Sequence, residues 1–143
     1  WGNKAWRGYN LVWYSGPKIL SGRTMAPDVA INLLVLRARD PSGLAAFYTA
    51  LGFMFAVERH GDGPEHYACD GGGFVFEIYP WKDDDAPSSG ARIGVHVPSI
   101  NDILARLGDD ADIVLSPRPW NGTQRCVLKD PEGHKVELTE AVS

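Results

Sequence analysis

Cysteine is almost absent: the 143 residues hold two, Cys69 and Cys126. Both sit in strand-like runs, and so few thiols point to buried, unpaired sulfhydryls in a reducing compartment rather than to a disulfide or a nucleophile. No apolar run approaches the ~20 residues that a membrane-spanning helix needs. No serine occupies a strand-turn-helix elbow, and no glycine-rich loop joins a strand to a helix. The run Gly71 to Gly73 falls between two strands, which makes a phosphate role improbable. Basic residues are outnumbered by acids, fourteen to eighteen, for a net charge of −4. They are also unevenly placed. Lys4, Arg7, Lys18 and Arg23 fall in residues 1–24, which contain no acid, so the rest of the chain carries −8. An acidic body argues against nucleic acid as the partner.

What is present is a repeat. Asp130-Pro-Glu-Gly133 is a turn in which proline pre-sets φ and glycine supplies a positive φ. Strand-like runs flank it at Arg125–Leu128 and Lys135–Thr139, the second carrying Glu137. Sixty residues earlier, Asp70-Gly-Gly-Gly73-Phe-Val-Phe-Glu77 has the same spacing, with Gly73 matching Gly133 and Glu77 matching Glu137. The chain from about Val29 is therefore expected to be two copies of one unit.

Module one, residues 29–80, opens with a strand over Ala30–Arg37. Asp40 caps a helix with Pro41 at its first position, where a missing N–H costs nothing. Leu44, Phe47, Tyr48 and Leu51 follow the spacing of one buried helix face, and Gly52 ends the helix. Strands are expected near Phe53–Glu58, His66–Cys69 and Phe74–Tyr79. Module two, residues 91–141, repeats the order: a strand at Arg92–Val97, then a helix capped by Ser99 and stopped by Gly108. Strands follow near Asp112–Leu115, Arg125–Leu128 and Lys135–Thr139. The fold class is α+β, two β-α-β-β-β modules in tandem forming curved mixed sheets around a cleft. A polar connector, Lys82 to Gly90, joins the halves. Together they form a single domain over residues 25–143. Residues 1–24 stand outside the repeat as a basic, aromatic arm with Trp1, Trp6 and Trp13. This arm either docks on the acidic body or a second subunit, or is extra coding sequence before Met25. It has no convincing secretory signal, and a cytoplasmic location is expected.

The D-P-x-G-x-x-x-E-L ending, after a Trp-Asn-Gly turn, resembles the glyoxalase, bleomycin-resistance and extradiol-dioxygenase group, the vicinal-oxygen-chelate superfamily. Asp40-Pro-Ser-Gly-Leu-Ala-Ala-Phe-Tyr48-Thr-Ala-Leu-Gly52-Phe is similar to that family's first helix. The likeness covers about residues 29–140. In metal-dependent relatives a residue early in each module's first strand, often His, and an acid in each last strand face the cavity. Carried over by position, the acids are Glu77 and Glu137, and the early positions are Leu33 and Arg92. Leucine has no donor atom, and arginine stays protonated and repels a cation.

Strand alternation is expected to put Glu77 and Glu137 on the face away from the helices, with Leu33, Val35 and Arg37, and with Arg92 and His96. The expected site is metal-free, with Arg92 serving as counter-charge for Glu77, Glu137 or both. Arg37, Tyr79, Arg92, His96 and Trp120 are the candidate ligand-binding residues, the aromatics offering stacking surfaces. An alternative is one divalent metal ion held by Glu77, His96 and Glu137. His60 and His66 flank a Gly-Asp-Gly-Pro turn as loop residues, and His134 suits a turn role.

The expected function is a small-molecule-binding protein, a homodimer that sequesters an antibiotic or metabolite, as in antibiotic resistance. The alternative is a lyase, isomerase or dioxygenase with an altered metal site or with Glu77 and Glu137 as acid and base.

Overall fold

A computed structural model describes residues 30–82 and 90–141. The arm at residues 1–24, and most of the connector, lie outside the described residues. Residues Ile31–Ser143 form one compact unit.

Module one runs β1 (Leu33–Ala38), α1 (Pro41–Leu51), β2 (Ala56–Glu58), β3 (His66–Asp70) and β4 (Val75–Pro80). Module two runs β5 (Arg92–His96), α2 (Ile100–Leu107), β6 (Asp112–Trp120), β7 (Thr123–Lys129) and β8 (Lys135–Ala141). Each module makes its own four-stranded mixed sheet, ordered β1-β4-β3-β2 and β5-β8-β7-β6. In each, the first strand lies parallel to the last, and the other pairings are antiparallel. The two-module α+β expectation is what the structure shows, with neither sheet closed into a barrel.

The caps form as the residues dictate. The Asp40 carboxylate accepts from Gly43 N at 3.0 Å, and Ser99 Oγ accepts from Asp102 N at 3.2 Å. Gly52 terminates α1 at φ 116°, a left-handed conformation that costs other residues steric strain. The helix-side residues of both sheets then merge into one core. Phe76 and Ile78 of β4, Val136 and Leu138 of β8, and Ile100 and Ile103 of α2 are all buried. Tyr48 sits edge-on to Phe47, Phe53 and Phe76, with centroids 4.9–6.1 Å apart.

Strand bounds differ from expectation where local signals mislead. β1 begins at Leu33 rather than Ala30. β2 keeps only Ala56–Glu58, because Phe53 leaves the strand to pack on the aromatic core. β6 is longer than expected, running to Trp120 through Pro117 and Pro119. It is an edge strand, where proline has no outer ladder bond to lose, and its register shifts twice on the way. The turn that follows is Asn121-Gly122, both with positive φ, as a tight hairpin requires.

The Asp130 turn ties the modules together. Asp130 is buried, and its Oδ1 accepts the backbone N–H groups of Glu132 (3.0 Å) and His134 (2.9 Å). Its Oδ2 accepts the Tyr48 hydroxyl at 3.0 Å and lies 2.8 Å from His134 Nδ1. His134 thus takes the turn role expected of it. The neighbouring Glu132 Oε1 accepts the N–H of Arg39 at 2.7 Å and of Asp40 at 3.2 Å, at the entry to α1. Glu140 Oε2 likewise accepts Ile100 N at 2.7 Å at the start of α2. Cys69 and Cys126 are both buried and unpaired, and burial pushes both thiols up, which keeps them inert.

Burial first, and then the adjacent Asp130 charge, push the Tyr48 hydroxyl well above its ordinary value of about 10. A raised folded-state value favours the protonated phenol, so its stabilisation is complete below that ordinary value and declines as pH rises beyond it. Tyr48→Phe is expected to cost ~1–2 kcal/mol at neutral pH, read from urea denaturation midpoints. The gap between the two proteins should narrow above pH ~10. A constant gap to pH 11 would remove Tyr48 from the titrating groups that matter.

Candidate functional site

The face of each sheet away from the helices carries one glutamate. In module two, Glu137 on β8 pairs across to Gly94 on β5 and Val127 on β7. Its Oε2 accepts two guanidinium N–H groups, from Arg92 Nη1 at 3.2 Å and Arg125 Nη2 at 2.8 Å. Arg125 also lies over the Trp120 ring, its guanidinium carbon 4.9 Å from the centroid. The Nε of Arg125 is buried without a hydrogen-bond partner. His96, further along β5, approaches Thr139 Oγ1 at 3.5 Å.

In module one, Glu77 on β4 pairs across to Val35 and Ala68. The nearest titratable side chain across from it is His66 on β3, with Nε2 3.8 Å from Oε1. The His66 ring stacks on Tyr79 at 4.1 Å and 7°, and Arg37 lies over the other ring system of the stack, 5.0 Å from the Tyr79 centroid. Leu33, Val35 and Val75 lie on the same face and are exposed.

Arg92 therefore neutralises Glu137 but not Glu77. Of the expected pairings of Arg92 with Glu77, Glu137 or both, the structure shows the one with Glu137, and each glutamate has a basic neighbour on the strand beside it in its own sheet. The two partners occupy equivalent places in the repeat. His66 stands two residues before Ala68, and Arg125 two before Val127, the residues opposite Glu77 and Glu137. Neither was identified from the sequence, although the alternation of β3 and β7 puts both on the glutamate face once the register is known. His66 is also not the loop residue expected; it opens β3 and is 1% exposed.

The alternative metal trio does not converge within one chain. Among the described residues, the grouping of three His, Cys, Asp or Glu donors within 4.8 Å is Glu58, His60 and His66, not Glu77, His96 and Glu137. Glu137 is already held by two cations, and Leu33 offers no donor.

A groove of about 590 Å³ opens between the modules, on the helix side of both sheets. Leu34, Phe53, Phe74, Ile93 and Val95 line it with Arg106, and of the candidate residues it takes in only His96. Arg37, Tyr79, Arg92, Trp120 and both glutamates lie on the outward faces instead. Among the described residues no helix is long and apolar enough to cross a membrane.

This duplicated architecture has clear relatives. The family profile described as the glyoxalase/bleomycin resistance protein/dioxygenase superfamily matches residues 30–138, and the chain belongs to that family. No curated protein matches significantly. Among solved structures, the antibiotic-binding protein TnmS3 of Streptomyces sp. CB03234 superposes with a TM-score of 0.62 at 15% identity, covering 82% of this chain and 100% of that one. TioX of Micromonospora sp. ML1 gives 0.56 at 22% identity, covering 80% and 100%. A family enzyme of Burkholderia phytofirmans PsJN gives 0.59 at 14% identity, covering 78% and 98%. At these identities the likeness is one of fold.

The two arginines on Glu137 differ in exposure, 48% for Arg92 against 14% for Arg125. Arg125→Met should therefore cost ~1–3 kcal/mol, since it leaves a largely buried carboxylate with only the exposed Arg92 as partner, whereas Arg92→Met should cost under ~1 kcal/mol. Thermal or urea unfolding of the two variants reads the difference, and equal costs would contradict this ranking.

Proposed function

We propose that the protein is a cytoplasmic small-molecule-binding homodimer that sequesters an antibiotic or metabolite and uses no metal at the family's metal position. The observation that carries this reading is the double guanidinium grip on Glu137, with Leu33 at the matching position of the other module. Such a site offers donors and flat surfaces to an organic ligand and repels a cation. Trp120 under Arg125 and Tyr79 against His66 supply the planar surfaces, which suit stacking without chemistry. TnmS3, an antibiotic-binding protein of the same fold, supports the same direction. The two buried free thiols suit a reducing compartment.

The ligand test uses chelator-treated protein titrated with planar aromatic antibiotics, followed by tryptophan fluorescence and by mass spectrometry of the recovered compound. Saturable binding with the compound returned unchanged is expected, and Trp120→Ala should weaken it ~2- to 10-fold. Conversion of the compound, abolished by Glu77→Gln or Glu137→Gln with affinity preserved, would instead make the protein an enzyme.

The dimer has its own support. Leu33, Val35 and Val75 leave an apolar strip open beside Glu77, which a second copy would cover. Light scattering should give twice the chain mass, and Leu33→Asp should shift the population to monomer. A wild-type monomer at tens of micromolar would rule out the assembly.

A further inference from the structure

The hairpin between β2 and β3 brings two further side chains, Glu58 and His60, up to His66, the neighbour of Glu77. Glu58 and His66 are direct cross-strand partners, so their side chains share a face. His60 lies two residues beyond Glu58, at the start of the turn His60-Gly-Asp-Gly-Pro-Glu-His66. The turn is braced by Gly63 N donating to His60 O at 3.0 Å and by the Arg59–Glu65 ion pair at 3.4 Å. One donor atom from each of Glu58, His60 and His66 lies within 4.8 Å of the others.

The chemistry inside this set is unresolved in two places. Glu58 Oε2 and His60 Nε2 are 3.7 Å apart, too far for a hydrogen bond. That spacing is close to what two donors have when each sits ~2.1 Å from a shared ion. His66 is 1% exposed, wedged between the Tyr79 ring at 4.1 Å and the His60 ring at 5.0 Å. Its Nε2 has no hydrogen-bond partner, and its Nδ1 reaches only the Pro64 carbonyl, at 3.4 Å. If Nδ1 carries the proton toward that carbonyl, Nε2 presents a buried lone pair with the Glu77 carboxylate 3.8 Å away. Two negative ends then face each other where burial makes an unsatisfied group costly, ~1–3 kcal/mol. A cation removes that conflict.

We propose that Glu58, His60 and His66 form a binding site for a divalent transition metal, of the zinc, nickel or copper type. Two imidazoles and one carboxylate are the donor set such ions prefer over magnesium or calcium. His66 is the fixed ligand, held in place by its stacking on Tyr79. Glu58 and His60 are exposed, so their side chains can close the remaining gap, on the order of 1 Å, between a 4.8 Å spread and the ~3.4 Å spacing of donors around a tetrahedral ion. Glu77 adds negative potential beside the buried imidazole. The site lies wholly within module one, apart from Arg92, Arg125 and Glu137, and does not depend on the ligand reading above.

The test is titration of the chelator-stripped full chain with zinc and nickel by calorimetry, and with copper(II) followed by electron paramagnetic resonance. One equivalent per chain is expected, with hyperfine structure from two imidazole nitrogens. Loss of a hydrogen-bonded neighbour of a ligand costs ~10–100-fold in affinity. His60→Ala, which removes a ligand, should cost at least that, and its copper spectrum should show one imidazole. Glu58→Gln should weaken binding while both nitrogens remain. Both substituted side chains are exposed, so circular dichroism is expected to match the parent. Absence of stoichiometric uptake would overturn the proposal. So would uptake that both variants leave unchanged, or uptake that Glu137→Gln abolishes instead.

Discussion

A single buried carboxylate holds the two modules in register. Asp130 accepts four hydrogen-bonding contacts, two from its own turn's backbone, one from His134 and one from the Tyr48 hydroxyl. Three of these shape the turn between β7 and β8. The fourth reaches from module two into α1 of module one. A carboxylate removed from water is tolerable only when so fully satisfied, and satisfying it requires both modules to be folded and docked. Tyr48 in turn anchors the aromatic group of Phe47, Phe53 and Phe76, so the polar tie and the apolar core share one residue. Glu132 extends the same tie by accepting the N–H groups of Arg39 and Asp40 at the entry to α1.

Duplication sets the logic of the outward faces. The same repeat position supplies a basic side chain to each glutamate, but the two copies chose different chemistry. Arg125 is a permanent cation that bonds Glu137 at 2.8 Å. His66 stands 3.8 Å from Glu77 and bonds nothing firmly. One module is electrostatically closed, and the other retains donors. A duplicated sheet can thus keep one repeat position basic in both halves and still give it two different chemistries.

Much of this was legible in the sequence, and the reasons differ by element. The helices followed from caps and apolar spacing, which are local. Asp40 with Pro41, and Ser99 with Gly108, marked their ends with little ambiguity. The repeat of Asp70 and Glu77 at Asp130 and Glu137 fixed the topology, because a duplicated motif implies a duplicated fold. The placement of Glu137 beside Arg92 followed from strand alternation. Arg125 and His66 were not found, because their places beside the glutamates depend on the exact register of the β7–β8 and β3–β4 hairpins, which alternation alone does not give. The run through Pro117 and Pro119 read as a loop because proline breaks interior strands, and the sequence did not reveal that β6 lies at an edge. The turn from His60 to His66 looked like plain connection, since nothing local told that His66 would be covered by Tyr79 and His60.

That edge position has a bearing on how copies of the chain can meet. A sheet margin with regular unpaired amides invites another strand to continue the ladder, and uncontrolled growth of that kind ends in fibres. Here the margin formed by β6 is interrupted by two imino residues and by two shifts of register. Strand-by-strand continuation of the second sheet from that margin is thereby obstructed.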